Sequence, residues 1–223
     1  MNRESIFRSS WSLATAAMAL LVAAAHADTL GFVPQVEAVG PSQFTGTRGY
    51  RFGPRPDREV YITHLGIYDG GGDGLVNPHE VGLWWDDLGS LAGTLLTSVT
   101  IPAGTEAPLH GGFRWVEITP IQIINSFQAY TIAAHYAVSD ADDLLKPYLP
   151  QFAPDVGVVV ESGLYSLGTS LAYPTSLTYG GEGQLGERFF QANFQYVVVP
   201  EPAAWMLWLT TTMCFCVWRR AKP

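Results

Sequence analysis

The chain has 223 residues, of which 48% are hydrophobic and 14% charged, and its formal net charge is −8. An acidic balance of this size excludes a nucleic-acid partner and an anionic membrane surface as a docking site. Two cysteines only, Cys214 and Cys216, exclude a disulfide framework, so stability must come from core packing or bound ions.

The first 27 residues carry Arg3 and Arg8, an apolar stretch from Trp11 to Ala25, and the small-residue triplet Ala25-His26-Ala27. These are the three parts of a secretory signal in order, with cleavage after Ala27 leaving Asp28 as the mature N-terminus. Such a segment hands the chain to the secretion machinery. The alternative is an uncleaved membrane helix, for which the apolar stretch is short.

Residues 28–198 form the body, long enough for one domain with a real core. From residue 28 to 201 there are seven Lys or Arg against nineteen Asp or Glu, a net of −12, so the working region is more acidic than the whole. Hydrophobic residues recur with period two. Val60–Tyr68, Val81–Trp85, Leu95–Ile101 and Phe113–Ile118 read as strands, followed by Ala129–Val138, Val156–Tyr165 and Phe190–Val198. In Ala129–Val138, Tyr130, Ile132, Ala134 and Tyr136 share one face and Thr131, Ala133 and His135 the other. Turn clusters such as Gly70-Gly71-Gly72, Pro102-Ala103-Gly104 and Gly180-Gly181 separate the runs. Between Ser139 and Leu149 there is room for one helical turn. The pattern predicts an all-β protein, an antiparallel β-sandwich of jelly-roll or Ig-like type.

One loop carries candidate chemistry. Residues 69–80 follow the calcium-loop spacing D-x-[DN]-x-[DN]-G-x5-E, with Asp69, Asp73, Asn77 and Glu80 at oxygen-ligand positions and Gly74 at the sharp turn. Calcium takes six to eight hard oxygens. Gly71 replaces one side-chain ligand, and the flanks are strand-like rather than helical. The other reading is a long inter-strand turn in which glycines supply positive φ and Asp69 and Asp73 bond backbone N–H groups. His64, His79, His110 and His135 show no zinc spacing. No G-x-S-x-G elbow is present, and the acidic clusters Asp86-Asp87 and Asp140-Ala141-Asp142-Asp143 read as solvated turns, so an enzyme is not expected. Trp84 and Trp85 are adjacent on one strand and must face opposite sides, one to the core and one outward. An outward Trp could stack on a sugar ring; the alternative, and the favoured reading, is an aromatic packed under a loop.

The last segment, residues 199–223, places Pro200-Glu201-Pro202 before an apolar run, residues 203–218, and then Arg219, Arg220 and Lys222. As a helix the run measures about 24 Å against a hydrocarbon core of about 30 Å, enough to span with its flanks snorkelling. The basic residues would stay cytoplasmic. The order Pro-Glu-Pro, short apolar helix and Arg cluster resembles the PEP-CTERM sorting signal of exosortase substrates. The resemblance implies processing by exosortase near Pro200-Glu201-Pro202 in Gram-negative bacteria that make exopolysaccharide. The alternative is a permanent C-terminal anchor. A second resemblance rests on His64-Leu65-Gly66-Ile67-Tyr68-Asp69, Gly72-Asp73-Gly74-Leu75, His79-Glu80-Val81-Gly82-Leu83-Trp84, Gly93-Thr94-Leu95-Leu96-Thr97-Ser98-Val99-Thr100, Gly112-Phe113-Arg114-Trp115-Val116 and Asn193-Phe194-Gln195-Tyr196. These residues are similar to a β-sandwich domain of unknown function found ahead of PEP-CTERM tails.

The expected protein is therefore exported and non-enzymatic. It would be anchored transiently in the inner membrane and then placed at the cell surface or in an exopolysaccharide matrix, with a structural or adhesive role. The alternative is a carbohydrate-binding module with a calcium-stabilised loop.

Overall fold

In the computed structural model, residues 29–32, 36–41, 44–54, 59–86, 92–123, 129–137, 143–147, 158–177 and 191–199 are described. The period-two alternation becomes thirteen β-strands and one 3-10 turn among these residues. In chain order the strands are β1 (Thr29–Leu30), β2 (Val36–Pro41), β3 (Gly46–Pro54) and β4 (Glu59–Tyr68), then, after the 3-10 turn Gly70–Gly72, β5 (His79–Asp86), β6 (Gly93–Ile101), β7 (Leu109–His110) and β8 (Phe113–Ile123). β9 (Tyr130–Tyr136), β10 (Asp143–Pro147), β11 (Val158–Leu167), β12 (Ser176–Leu177) and β13 (Ala192–Val199) follow.

Two antiparallel sheets stack as a β-sandwich. One has the order β1-β13-β4-β8-β7, the other β12-β11-β3-β9-β5-β6, and β10 pairs with β2 in a separate ribbon. Four of the pairings are nested one inside the next. The hairpin β5–β6 lies innermost, β4 with β8 encloses it, β3 with β9 encloses those, and β1 with β13 encloses the rest.

Each inner face is the alternate set of one strand. Ala192, Phe194 and Tyr196 of β13, Ile62, Leu65 and Ile67 of β4, and Tyr50 and Phe52 of β3 are all buried. Aromatic rings tie the layers together. Phe52 of one sheet stacks on Phe194 of the other with centroids 4.6 Å apart. Phe32 meets Tyr50 edge-on at 5.9 Å and Phe113 at 5.4 Å. Each such ring contributes about 1.5–3 kcal/mol by leaving water, and each good pair about 0.5–1.5 kcal/mol more. This packing does the work that disulfides do in many small secreted domains.

The outer face of the six-stranded sheet is covered as well. Thr131 and Ala133, on the far side of β9 from the main core, are as buried as Ile132. The segment after β11 runs across them. The Ala172 N–H donates to Thr47 Oγ1 at 3.1 Å, Leu171 lies against Gly82, and Tyr173 lies against Gly93 and Trp84. The alternation in β9 thus separates two buried sides rather than core from solvent.

The expected strands are present with shifted ends, and β8 continues five residues beyond Ile118 to Ile123. The helical turn expected between Ser139 and Leu149 is absent from its described part, which is strand β10. Leu144 and Leu145 pair there with Val39 and Ala38 of β2, and a distant strand supplies the backbone partners a local turn would have used. No helix among the described residues is long and apolar enough to cross a membrane. The signal-cleavage residues Ala25, Ala27 and Asp28, and the sorting residues Pro200, Glu201, Pro202, Arg219 and Arg220, lie outside the described residues.

Candidate functional site

The loop from Asp69 to Glu80 leaves β4, makes the 3-10 turn and enters β5. Gly71, Gly72 and Gly74 take φ of 88°, 74° and 110°, in the left-handed region that favours glycine. Asp69 is 3% exposed. Its carboxylate accepts the Gly74 N–H at 3.2 and 3.3 Å, and its carbonyl accepts the Gly72 N–H at 3.2 Å.

The positive charge at this carboxylate comes from Arg114 of β8. Arg114 Nε donates to Asp69 Oδ2 at 2.7 Å, and both side chains are almost wholly buried. The rest of the guanidinium is used on three carbonyls, with Nη1 donating to Ala107 at 3.0 Å and Thr105 at 3.3 Å, and Nη2 to Gly72 at 2.9 Å. One side chain therefore pins two loops, 69–74 and 104–108, to the end of the five-stranded sheet. The bridge between Leu75 and Gly104 closes the same corner with hydrogen bonds of 3.2 and 2.7 Å.

Of the four residues on the calcium spacing, Asp69 is paired with Arg114. Asp73 is exposed, Asn77 half-buried, and Glu80, already on β5, is exposed and accepts the Ser98 hydroxyl at 3.0 Å. Among the described residues no group of three or more His, Cys, Asp or Glu is placed to hold a metal ion. The Arg114 guanidinium meets the carboxylate at the first position of the calcium pattern. With Asp69 held by Arg114, the melting temperature should be the same in a thermal scan with and without a chelator of divalent ions. A downward shift on chelation that calcium alone reverses would support the calcium reading.

A second polar cluster lies at the other end of β5, beneath Tyr173. Asp86 is buried, and its Oδ2 accepts Arg51 Nε at 2.6 Å and the Thr131 hydroxyl at 3.0 Å. Arg51 Nη2 donates to the Tyr173 hydroxyl at 3.4 Å. Burial pushes that phenol above its usual range, outweighing its hydrogen bonds to Arg51 and Thr131, so it stays neutral. Beside the cluster, Trp84 lies on the covered outer face with Thr131 and is buried under Tyr173 at 3% exposure, while Trp85 takes the opposite face, that of Tyr130, and is 40% exposed.

The histidines serve the strands. His64 Nδ1 lies 3.0 Å from Thr63 Oγ1. Buried His79 donates from Nδ1 to the His135 carbonyl at 3.1 Å and packs on Tyr136 with centroids 5.1 Å apart. The His110 carbonyl accepts Trp115 Nε1–H at 2.9 Å.

Arg51 and Arg114, which organise both clusters, were not foreseen as site residues. Each is an isolated cation between aromatic residues in a strand, Tyr50-Arg51-Phe52 and Phe113-Arg114-Trp115. That placement is the signal that an ionic partner must be buried nearby. No family model, curated protein or solved structure matches this chain.

Proposed function

We propose that this chain is an exported, non-enzymatic protein of the cell envelope or extracellular matrix. Its body is a jelly-roll β-sandwich, and its sorting label is of the PEP-CTERM type. The observation that carries the reading is the ordered pair of address segments around the body, a secretory signal in residues 1–27 and Pro-Glu-Pro, apolar run and basic cluster in residues 200–222. The nested pairing of β5–β6, β4–β8, β3–β9 and β1–β13 supports the jelly-roll among the two sandwich types. Strand β13 stops at Val199, directly before Pro200, so a cut near the Pro-Glu-Pro triplet would leave the sandwich whole. A non-catalytic role fits the two polar clusters, whose charged groups are committed to each other and to backbone carbonyls.

On this reading the protein passes through the inner membrane, loses its tail to exosortase, and works in an exopolysaccharide setting as a structural or adhesive component. Intact mass spectrometry of the material recovered outside the cell tests it. The expected mass lacks residues 1–27 and the apolar tail from Ala203 onward. A mass that retains the whole tail would replace sorting with permanent anchoring.

A further inference from the structure

Strand β6 closes one side of the six-stranded sheet, and no described strand pairs with its far flank. In an antiparallel ladder alternate residues turn their N–H and C=O groups away from the partner, so β6 presents a row of such groups outward. Folds normally blunt such an edge by shortening it or by placing charge or proline on it. Other free flanks among the described residues follow that practice. β1, β7 and β12 have two residues each, β8 beyond β7 carries Glu117 and Pro120, and the β2–β10 ribbon carries Glu37, Asp143 and Lys146. β6 has nine residues with neither charge nor proline, reading Gly-Thr-Leu-Leu-Thr-Ser-Val-Thr-Ile.

The surroundings sharpen the contrast. Residues 88–105 hold no charged side chain at all, in a chain of net charge −8. A register shift between Leu83 and Trp84 bulges β6 around Leu96, and Leu95 and Leu96 stand 50% and 39% exposed. Beyond the bulge, Thr97 to Ile101 pair regularly with Leu83 to His79. The nearest carboxylate, Glu80, sits one strand in and is hydrogen-bonded to Ser98.

The geometry points to β6 as a self-pairing edge, whose partner is β6 of a second copy, antiparallel across a two-fold axis. The ligand chemistry the edge recognises is another strand's backbone. Charge selects which strand: two copies of so acidic a protein repel over most approaches, and this uncharged strip lets them meet without opposing carboxylates. The ladder forms along Thr97–Ile101, and the two six-stranded sheets become one continuous sheet. Leu95 and Leu96 of each copy lose water against the other. The inference gives the structural role a means of assembly, but it stands on the edge alone and holds whether or not the tail is cleaved.

Single-cysteine scanning tests it in the full chain, with Cys214 and Cys216 replaced by Ser and the protein held in mild detergent. Cysteine is placed in turn at Thr97, Ser98, Val99 and Thr100, with Glu117→Cys on the other sheet as control. Under mild oxidation the expected result is a disulfide-linked dimer at whichever β6 position faces its twin, since a disulfide forms only when the two Cα atoms lie within about 7 Å. Little should form at its immediate neighbours or at Glu117→Cys. Adding Leu96→Lys and Thr100→Lys to the best linker at Thr97, Ser98 or Val99, or Leu96→Lys alone if Thr100 is the linker, should abolish the dimer while circular dichroism and melting temperature stay as before. No dimer at any of the four positions overturns the proposal, as does equal linking at Glu117→Cys or a dimer that survives the lysines. If β6 amides instead gain exchange protection only when exopolysaccharide is added, the edge binds glycan and the second copy is wrong.

Discussion

Replacing Arg114 with Leu should lower the melting temperature by about 6–20 °C. The substitution keeps the apolar volume but leaves Asp69 as a buried carboxylate whose remaining donor in this corner is the Gly74 N–H. Breaking a buried ion pair from one side costs about 3–5 kcal/mol, and in a domain of this size each kcal/mol shifts the midpoint by about 2–4 °C. The Gly72, Thr105 and Ala107 carbonyls lose a donor at the same time. Arg114→Lys should fall between wild type and Leu, because an ammonium replaces the charge without the planar fork that reaches four acceptors. Adding Asp69→Asn to Arg114→Leu should recover part of the loss by removing the stranded charge. Differential scanning calorimetry of the three variants is the measurement. A midpoint within 2 °C of wild type for Arg114→Leu, a span worth about 1 kcal/mol at most, would show that water enters the corner and that the pin is not structural.

Gly49→Ala should be severely destabilising. Gly49 lies in β3 opposite Ala133 of β9, and a Cβ there would stand 1.9 Å from the Ile132 carbonyl oxygen and 2.5 Å from the Ala133 Cα. Both obstacles are backbone of a strand held on its other side by β5, so relief means parting the β3–β9 ladder. Overpacking of this kind costs about 3 kcal/mol or more. The same change at Gly168, whose nearest neighbour to a new Cβ is 4.0 Å away, should be neutral or stabilise by a few tenths of a kcal/mol, about what a less flexible unfolded chain supplies. Denaturant unfolding of the two variants side by side reads the difference. Equal midpoints would mean that β3 and β9 are further apart than described.

The glycine at 49 also explains what the sequence hid. β3 carries Gly46, Gly49, Gly53 and Pro54, with two arginines among them, and by propensity it reads as loop. It is nonetheless interior to its sheet, between β11 and β9. Its glycine answers to the close approach of β9, and Arg51 answers to Asp86, which lies 35 residues on. By contrast β9 and β13 were legible because their alternation is local and apolar. The acidic loop was half legible. Its glycines and Asp69 follow from turn chemistry, but the cation that meets Asp69 lies 45 residues away on β8, a separation that no spacing rule covers. The covered outer face was equally hidden, since alternation of Thr131 and Ala133 with Ile132 and Ala134 looks the same whether the second side meets water or Tyr173.

The nesting of the strands bears on the timing of assembly. The partner of β1 is β13, and β13 is also the strand that fills the place between β1 and β4 in the five-stranded sheet. The outermost pair joins Thr29 to Tyr196, so almost the whole body must exist before that sheet can close. Contacts this distant in sequence form late and slowly. On the proposed export route, a chain delivered N-terminus first would stay incomplete, with the flank of β4 that awaits β13 unfilled, until residue 199 had crossed. The residues next in line are Pro200-Glu201-Pro202. On that proposal, closure of the sandwich and arrival of the proposed sorting label would fall at the same moment, so a protease acting there would meet a body only then able to fold.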